Sequence, residues 1–180
     1  MPAGFGRPID DPGLQAMTAD ATSVFGEAVA MVGDALGLEL DRNVCEAEYA
    51  KTTTDLDFGS WRIAAGCVAG IAASWQGRVG DRTVVELNVR WKKAFVLEPD
   101  WKIEDGHVIE VQGRPTVRTT LQFLPPPDFQ ATTRADFMVL GHIMTAMPAV
   151  NAIPVVVAAP PGIVSYADVL LPLPRGLLRR

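Results

Sequence analysis

Two stretches joined by one turn constrain the fold of this chain more than any other feature. In Gly66–Gln76 and in Thr83–Trp91, apolar residues occupy every second position, and the two series end in Trp75 and Trp91. The segment between them, Val79-Gly80-Asp81-Arg82, has the composition of a tight turn. A period of two residues places alternate side chains on opposite faces of a strand. The pattern therefore predicts an antiparallel β-hairpin with one apolar face.

Further strands flank this hairpin. Val44–Lys51 alternates in the same way, and a second hairpin is predicted from His107–Val111 and Thr116–Leu124. The three consecutive prolines that begin at Pro125 end the β region, because proline cannot donate to a strand ladder. Four or five antiparallel strands with one polar face predict a sheet that is covered on one side only.

One helix is predicted before the β region. Between Thr18 and Leu36, apolar residues recur at steps of three and four. Thr18 or Asp20 can cap the start of this helix, and Gly37 stands where a helix C-terminal glycine belongs.

Two helices are predicted after the β region. The spacing of Thr133 and Asp136 resembles a capping box, and Pro148 is expected to break the helix that follows. Asn151 can then cap a second, short helix, with Pro154 in its first turn. The whole pattern predicts an α+β fold with an open, mainly antiparallel sheet and helices packed on one face.

Length and composition narrow the class further. The 180 residues fit a single domain, which we expect at 18–175 between an extended segment at 1–17 and a tail at 176–180. A net charge of −5 with scattered basic residues does not favour nucleic acid as a partner. The longest apolar stretch is interrupted by Asn151 and by prolines, so no run reaches the roughly 20 residues of a membrane span. The N-terminus has no signal-peptide features. We therefore expect a cytoplasmic protein.

The sequence contains no complete set of residues for catalysis. His107 and His142 have no partners at metal-ligand spacing. Gly4-Phe-Gly6 lacks the third glycine, the preceding strand and the following helix of a dinucleotide site. We therefore assign no catalytic, cofactor-binding or metal-binding residue.

Candidate residues for a ligand pocket are apolar. We expect Trp75 and Trp91 to form walls and Met31 to form the floor, with Met144 and Asn151 as further candidates. The alternative is that the tryptophans and methionines pack in a core or a subunit interface. Glu86 is predicted on the opposite face from Trp91, so one pocket cannot use both without a bulge.

Several segments resemble a known family. They are Gly59–Gly70, Glu98–Trp101, Val111–Pro115, Thr145–Pro154 and Ala159–Ile163. Together they resemble the C-terminal half of the dihydrodipicolinate reductase-like dehydrogenases, in the branch that contains 2,4-diaminopentanoate dehydrogenase and the NAD(P)H-dependent amine dehydrogenases. The resemblance extends from about Gly4 to Pro174.

This resemblance implies a role. In such enzymes this half closes over the nicotinamide, shapes a pocket for a small apolar amine or carbonyl compound, and joins its open sheet to that of a second subunit. NAD(P) is implied for the complete enzyme, but the Rossmann half has no counterpart in these residues. We therefore expect no cofactor bound by this chain alone, a homodimer, and a missing N-terminal half or a separate Rossmann-domain chain. No catalytic residue of the family carries over.

Three functions remain open at this point. The first is a substrate-binding and dimerisation domain of an NAD(P)H-dependent amine or amino-acid dehydrogenase, inactive without its Rossmann partner. The second is a free-standing small-molecule binding protein that kept the pocket without redox activity. The third is a cofactor-free enzyme that uses carboxylates such as Glu86 or Asp100.

Overall fold

A computed structural model of the chain describes residues 2–102, 106–130, 134–165 and 168. The chain divides into two compact units, Met1–Glu104 and Asp105–Arg180. The single domain expected at 18–175 stays a prediction.

The described residues of the first unit form a short 3-10 helix (Pro2–Gly4), two α-helices and five strands. The helices are α1 (Leu14–Ala21) and α2 (Ser23–Ala35). The strands are β1 (Arg42–Lys51), β2 (Leu56–Asp57), β3 (Arg62–Ile63), β4 (Val68–Val79) and β5 (Arg82–Lys92). Strands β1, β4 and β5 form an antiparallel sheet in the order β1-β4-β5, and β2 pairs with β3 in a separate short hairpin.

The hairpin predicted from residue alternation is β4–β5. In its register Trp75 lies opposite Leu87 and Ile71 lies opposite Trp91. The α+β class with open antiparallel sheets is confirmed. The expectation of four or five strands in one sheet is wrong for the described residues, which form one three-stranded and two two-stranded sheets. Alternation shows which residues form strands, but it does not show which strand edges pair.

The first predicted helix begins earlier and is interrupted. It starts at Leu14, so neither Thr18 nor Asp20 is its cap, and it breaks at Thr22 between α1 and α2. The C-terminal prediction is confirmed, because Gly37 has φ +68°. The amide of Gly37 donates to the carbonyl of Asp34, and that of Leu38 donates to Gly33, which is a Schellman motif.

The described residues of the first unit form two apolar clusters. One joins the N-terminal segment and α1 to the sheet through Phe5, Leu14, Val68 and Ile71. The N-terminal segment, expected to be extended, thus contributes to the core. The second cluster, around Ile63 and the other residues buried with it, lies at the end of the sheet where β4 begins.

The described part of the second unit forms the second predicted hairpin and one long helix. Strand β6 (His107–Val111) pairs with β7 (Val117–Leu121), and α3 spans Arg134–Ala158. Both strands are exposed along their whole length. The break predicted at Pro148 is wrong, since α3 contains Pro148 and Pro154 inside its 25 residues. Each proline removes one helical hydrogen bond, and the neighbouring turns keep theirs.

The continuous helix changes two further expectations. Asn151 lies inside α3 and is exposed, so it is not a cap. The 21 residues Met138–Ala158 have a mean hydropathy of 1.5 with none of that segment buried, which meets the length and composition of a membrane span. The expectation that no run is long enough is therefore wrong. Core helices of soluble proteins satisfy the same two criteria, so these alone assign no membrane to α3.

Replacing Asn151 by alanine is now expected to leave the free energy of unfolding unchanged or to raise it by up to about 0.7 kcal/mol. Asparagine competes with the helical backbone for hydrogen bonds, and alanine does not. Urea unfolding followed by circular dichroism measures the difference. A loss of about 1 kcal/mol would instead support a capping role.

Candidate functional site

One face of the three-stranded sheet is covered by helices and carries both predicted wall residues. Trp75 and Trp91 are half-buried on this face. The Trp75 indole Nε1 donates to the Thr22 hydroxyl at 2.9 Å. The Trp91 ring lies 6.0 Å from the ring of Phe25, at an interplanar angle of 44°. Both tryptophans thus hold α2 on the sheet as well as lining its apolar face.

The close approach of α2 depends on Gly26. A β-carbon at this position would lie 2.5 Å from Cζ3 of Trp75, which is closer than side-chain carbons approach. The Thr22 hydroxyl in turn donates to the Thr18 carbonyl at 2.6 Å. Sequence reasoning missed Gly26 and Thr22. The available signals were a glycine inside a helical pattern and a threonine near the point where the helix breaks.

A chain of hydroxyl groups continues beneath the helices. Thr18 Oγ1 donates to the carbonyl of Ala3 at 2.8 Å and lies 2.9 Å from the Tyr49 hydroxyl. Burial raises the pKa of Tyr49, and burial likewise raises the pKa of the Cys45 thiol. Both groups therefore stay protonated and neutral near pH 7. On this face they offer hydrogen bonds and apolar surface rather than an ionised base or nucleophile.

The five predicted pocket residues fall in different parts of the chain. Trp75 and Trp91 share one face, and Met31 lies on α2 with 40% of its surface exposed. Met144 and Asn151 lie in α3 of the second unit, half-buried and exposed respectively. Their meeting in one pocket stays a prediction. A groove of about 390 Å³ between the end of α2 and the start of β1 contains none of the five.

The two carboxylates considered for a cofactor-free enzyme lie apart from Trp75 and Trp91. Glu86 accepts a hydrogen bond from Ser74 at 2.7 Å on the opposite face of the sheet, as the alternation predicted. Asp100 lies 3.6 Å from the Lys92 ammonium.

The face opposite the helices, which we call the open face, carries a polar network. Arg78 forms an ion pair with Glu46 at 3.0 Å, and its Nε donates to Gln76 at 3.1 Å. Gln76 donates to Glu46 at 3.3 Å and is itself only 9% exposed. Sequence reasoning missed Gln76 and Arg78. A glutamine at the end of an apolar strand series was the available signal.

An aromatic cluster covers one end of the open face. Leu97 is buried and Trp101 half-buried against Gly70, where a β-carbon would lie 2.6 Å from Leu97 and 3.0 Å from Trp101. Lys92 Nζ donates to the carbonyl of Trp101 at 3.0 Å and holds this loop. The aromatic end and the polar network together make the open face amphipathic.

The sequence model of one family, the 2,4-diaminopentanoate dehydrogenase C-terminal domain, matches residues 11–180. The chain belongs to this family. The resemblance stated from its sequence segments is thereby confirmed.

Two relatives place this family domain within longer proteins. An amine dehydrogenase from Streptomyces virginiae is 30% identical over 179 residues, which cover 93% of this chain and 46% of that protein. The structure of an amine dehydrogenase from Mycobacterium smegmatis matches with a TM-score of 0.54 and 18% identity, over 95% of this chain and 46% of that one. At 18% identity, the structural match to the Mycobacterium smegmatis protein shows a shared fold only. The chain spans about half the length of both relatives.

Proposed function

We propose that this chain is the substrate-binding and dimerisation domain of an NAD(P)H-dependent amine dehydrogenase, and that it is inactive without a nucleotide-binding half. The family match over residues 11–180 carries the proposal, because it is to a C-terminal domain of a dehydrogenase. The half-length coverage of the Streptomyces virginiae amine dehydrogenase supports it. We place this domain in the cytoplasm.

Two features of the described residues argue against a dinucleotide phosphate site at the positions where one would be expected. In the segment Gly4-Phe-Gly6, Phe5 is buried and the amide of Gly6 donates to the Val68 carbonyl at 2.9 Å. That amide is therefore not free to bind a phosphate oxygen. Helix α2 follows another helix rather than a strand, unlike the first turn of a dinucleotide fold. The cofactor would have to be held by another part of the enzyme.

The contribution of this domain would be the substrate pocket. We propose that Trp75, Trp91 and Met31 border it. An apolar pocket with a few polar groups suits a small apolar amine or ketone. In such an enzyme the protein orients the substrate against a cofactor that supplies the hydride.

The isolated chain is expected to show no binding of NADH or NADPH in calorimetric titration. It is also expected to show no turnover with ketone, ammonia and NADPH. Placing the N-terminal half of the Streptomyces virginiae relative before this chain should produce both cofactor binding and reductive amination. A micromolar dissociation constant for the isolated chain, about −8 kcal/mol, would contradict the expected division of roles. A folded fusion that binds NADPH but aminates no ketone would contradict the proposed function.

A further inference from the structure

We propose that two symmetric ion pairs, each between Glu48 of one copy and Arg90 of the partner subunit, set the register in which the open face binds a second copy of this chain. The proposal rests on the dimerisation function given above. It adds the contacting residues and the direction of the symmetry axis.

Among the described residues of the open face, the charged residues Glu48 and Arg90 do not take part in the polar network. Ala72 on β4 pairs with Glu48 on β1 and with Arg90 on β5, so the three residues lie side by side across the sheet. Both charged side chains are exposed. Glu46 and Glu86 are already bonded within the chain. Among the residues that the structure describes, neither Glu48 nor Arg90 lies within 4.0 Å of an opposite charge.

A two-fold axis parallel to the strands and above β4 satisfies both charges. This axis places β1 of each copy over β5 of the other, with the same positions along the strands facing each other. Glu48 of each copy therefore faces Arg90 of the partner subunit, which gives two ion pairs. An isologous contact of this kind is reciprocal by symmetry. Ala72 lies on the axis, and its small side chain lets the two sheets approach. At the next level, Glu46 faces the amide side chain of Asn88.

The other arrangement of facing sheets is electrostatically unfavourable. An axis parallel to the sheet but perpendicular to the strands would place β1 over β1. Glu46 and Glu48, on the open side of that strand, would then face glutamates of the partner. Like charges opposed across an interface cost several kcal/mol. With the parallel axis, the open-face residues of β4 meet their own copies; the charged one among them is Arg78, and Glu46 already neutralises it at 3.0 Å.

The test is charge reversal measured by analytical ultracentrifugation of the full chain. Glu48→Arg and Arg90→Glu are each expected to raise the dimer dissociation constant at least about tenfold, because each opposes like charges. The variant that carries both changes re-forms the pairs in reverse, so its dissociation constant should return close to the wild-type value. Glu27→Arg, on the exposed side of α2, and Arg82→Glu, at the hairpin turn, are controls that should leave the constant unchanged.

Three outcomes separate the proposals. If the double variant stays as weak as the single variants, or if the single variants dimerise normally, the Glu48–Arg90 pairing is wrong while dimerisation stands. If the wild-type chain is a 19.3 kDa monomer at micromolar concentration, dimerisation itself fails. Thermal melts that match the wild type will show that the variants are folded, as expected for exposed positions.

Discussion

Replacing Ile71 by alanine is expected to lower the free energy of unfolding by about 3 kcal/mol, within the range of about 2–5 kcal/mol for such truncations. Ile71 is fully buried on the central strand β4 and belongs to the cluster that joins Phe5 and Leu14 to the sheet. Its cross-strand neighbours are Tyr49 and Trp91. Removing its side chain leaves a cavity beneath both the N-terminal segment and α1.

Urea unfolding followed by tryptophan fluorescence measures this loss. Ile9→Ala is the matched control, because Ile9 is 37% exposed in the same unit and should lose less than about 1 kcal/mol. Equal losses at the two positions would mean that the N-terminal segment does not pack on β4 as described.

Replacing Gly26 by alanine is expected to destabilise the chain by about 1–3 kcal/mol through overpacking. Helix propensity alone predicts the opposite sign, a gain of about 1 kcal/mol. The added methyl group would lie 2.5 Å from the Trp75 ring. The ring cannot swing aside without losing the 2.9 Å bond from its Nε1 to Thr22. Helix α2 must therefore move away from the sheet.

Gly141→Ala provides the matched control. Gly141 lies inside α3, and a β-carbon there would have no neighbour within 4 Å. Alanine at this position should raise stability by up to about 1 kcal/mol. The decisive result is the difference in sign between the two substitutions in urea unfolding. A gain at Gly26 would show that α2 does not approach Trp75 this closely.

Local periodicity was sufficient for part of the fold. The β4–β5 hairpin, the polar side of its strands at Glu86 and the terminating glycine at Gly37 agree with the predictions. Each depends on interactions between residues close together in sequence. The α+β class and the family relationship also follow from such patterns and from short segments of sequence.

Structural features that depend on contacts between residues far apart in the sequence were not predictable. The break at Thr22 is stabilised by the indole of Trp75, a residue 53 positions away. The presence of a proline suggested a break at Pro148. This was wrong, because helix α3 loses one backbone hydrogen bond there and continues. For the candidate site, alternation placed Trp75 and Trp91 on one face but could not show that α2 covers them.

The sequence by itself determined where the five longer strands lie, which faces of the β4–β5 hairpin are apolar, and which family the chain resembles. These properties follow from the spacing of apolar and polar residues within short segments of the sequence. Only the tertiary structure decided which strands pair, where Trp75 and Gly26 meet, and that Glu48, Ala72 and Arg90 stand level on the open face. Those features arise from close approach between segments far apart in the chain, and local propensity carries no information about such distances.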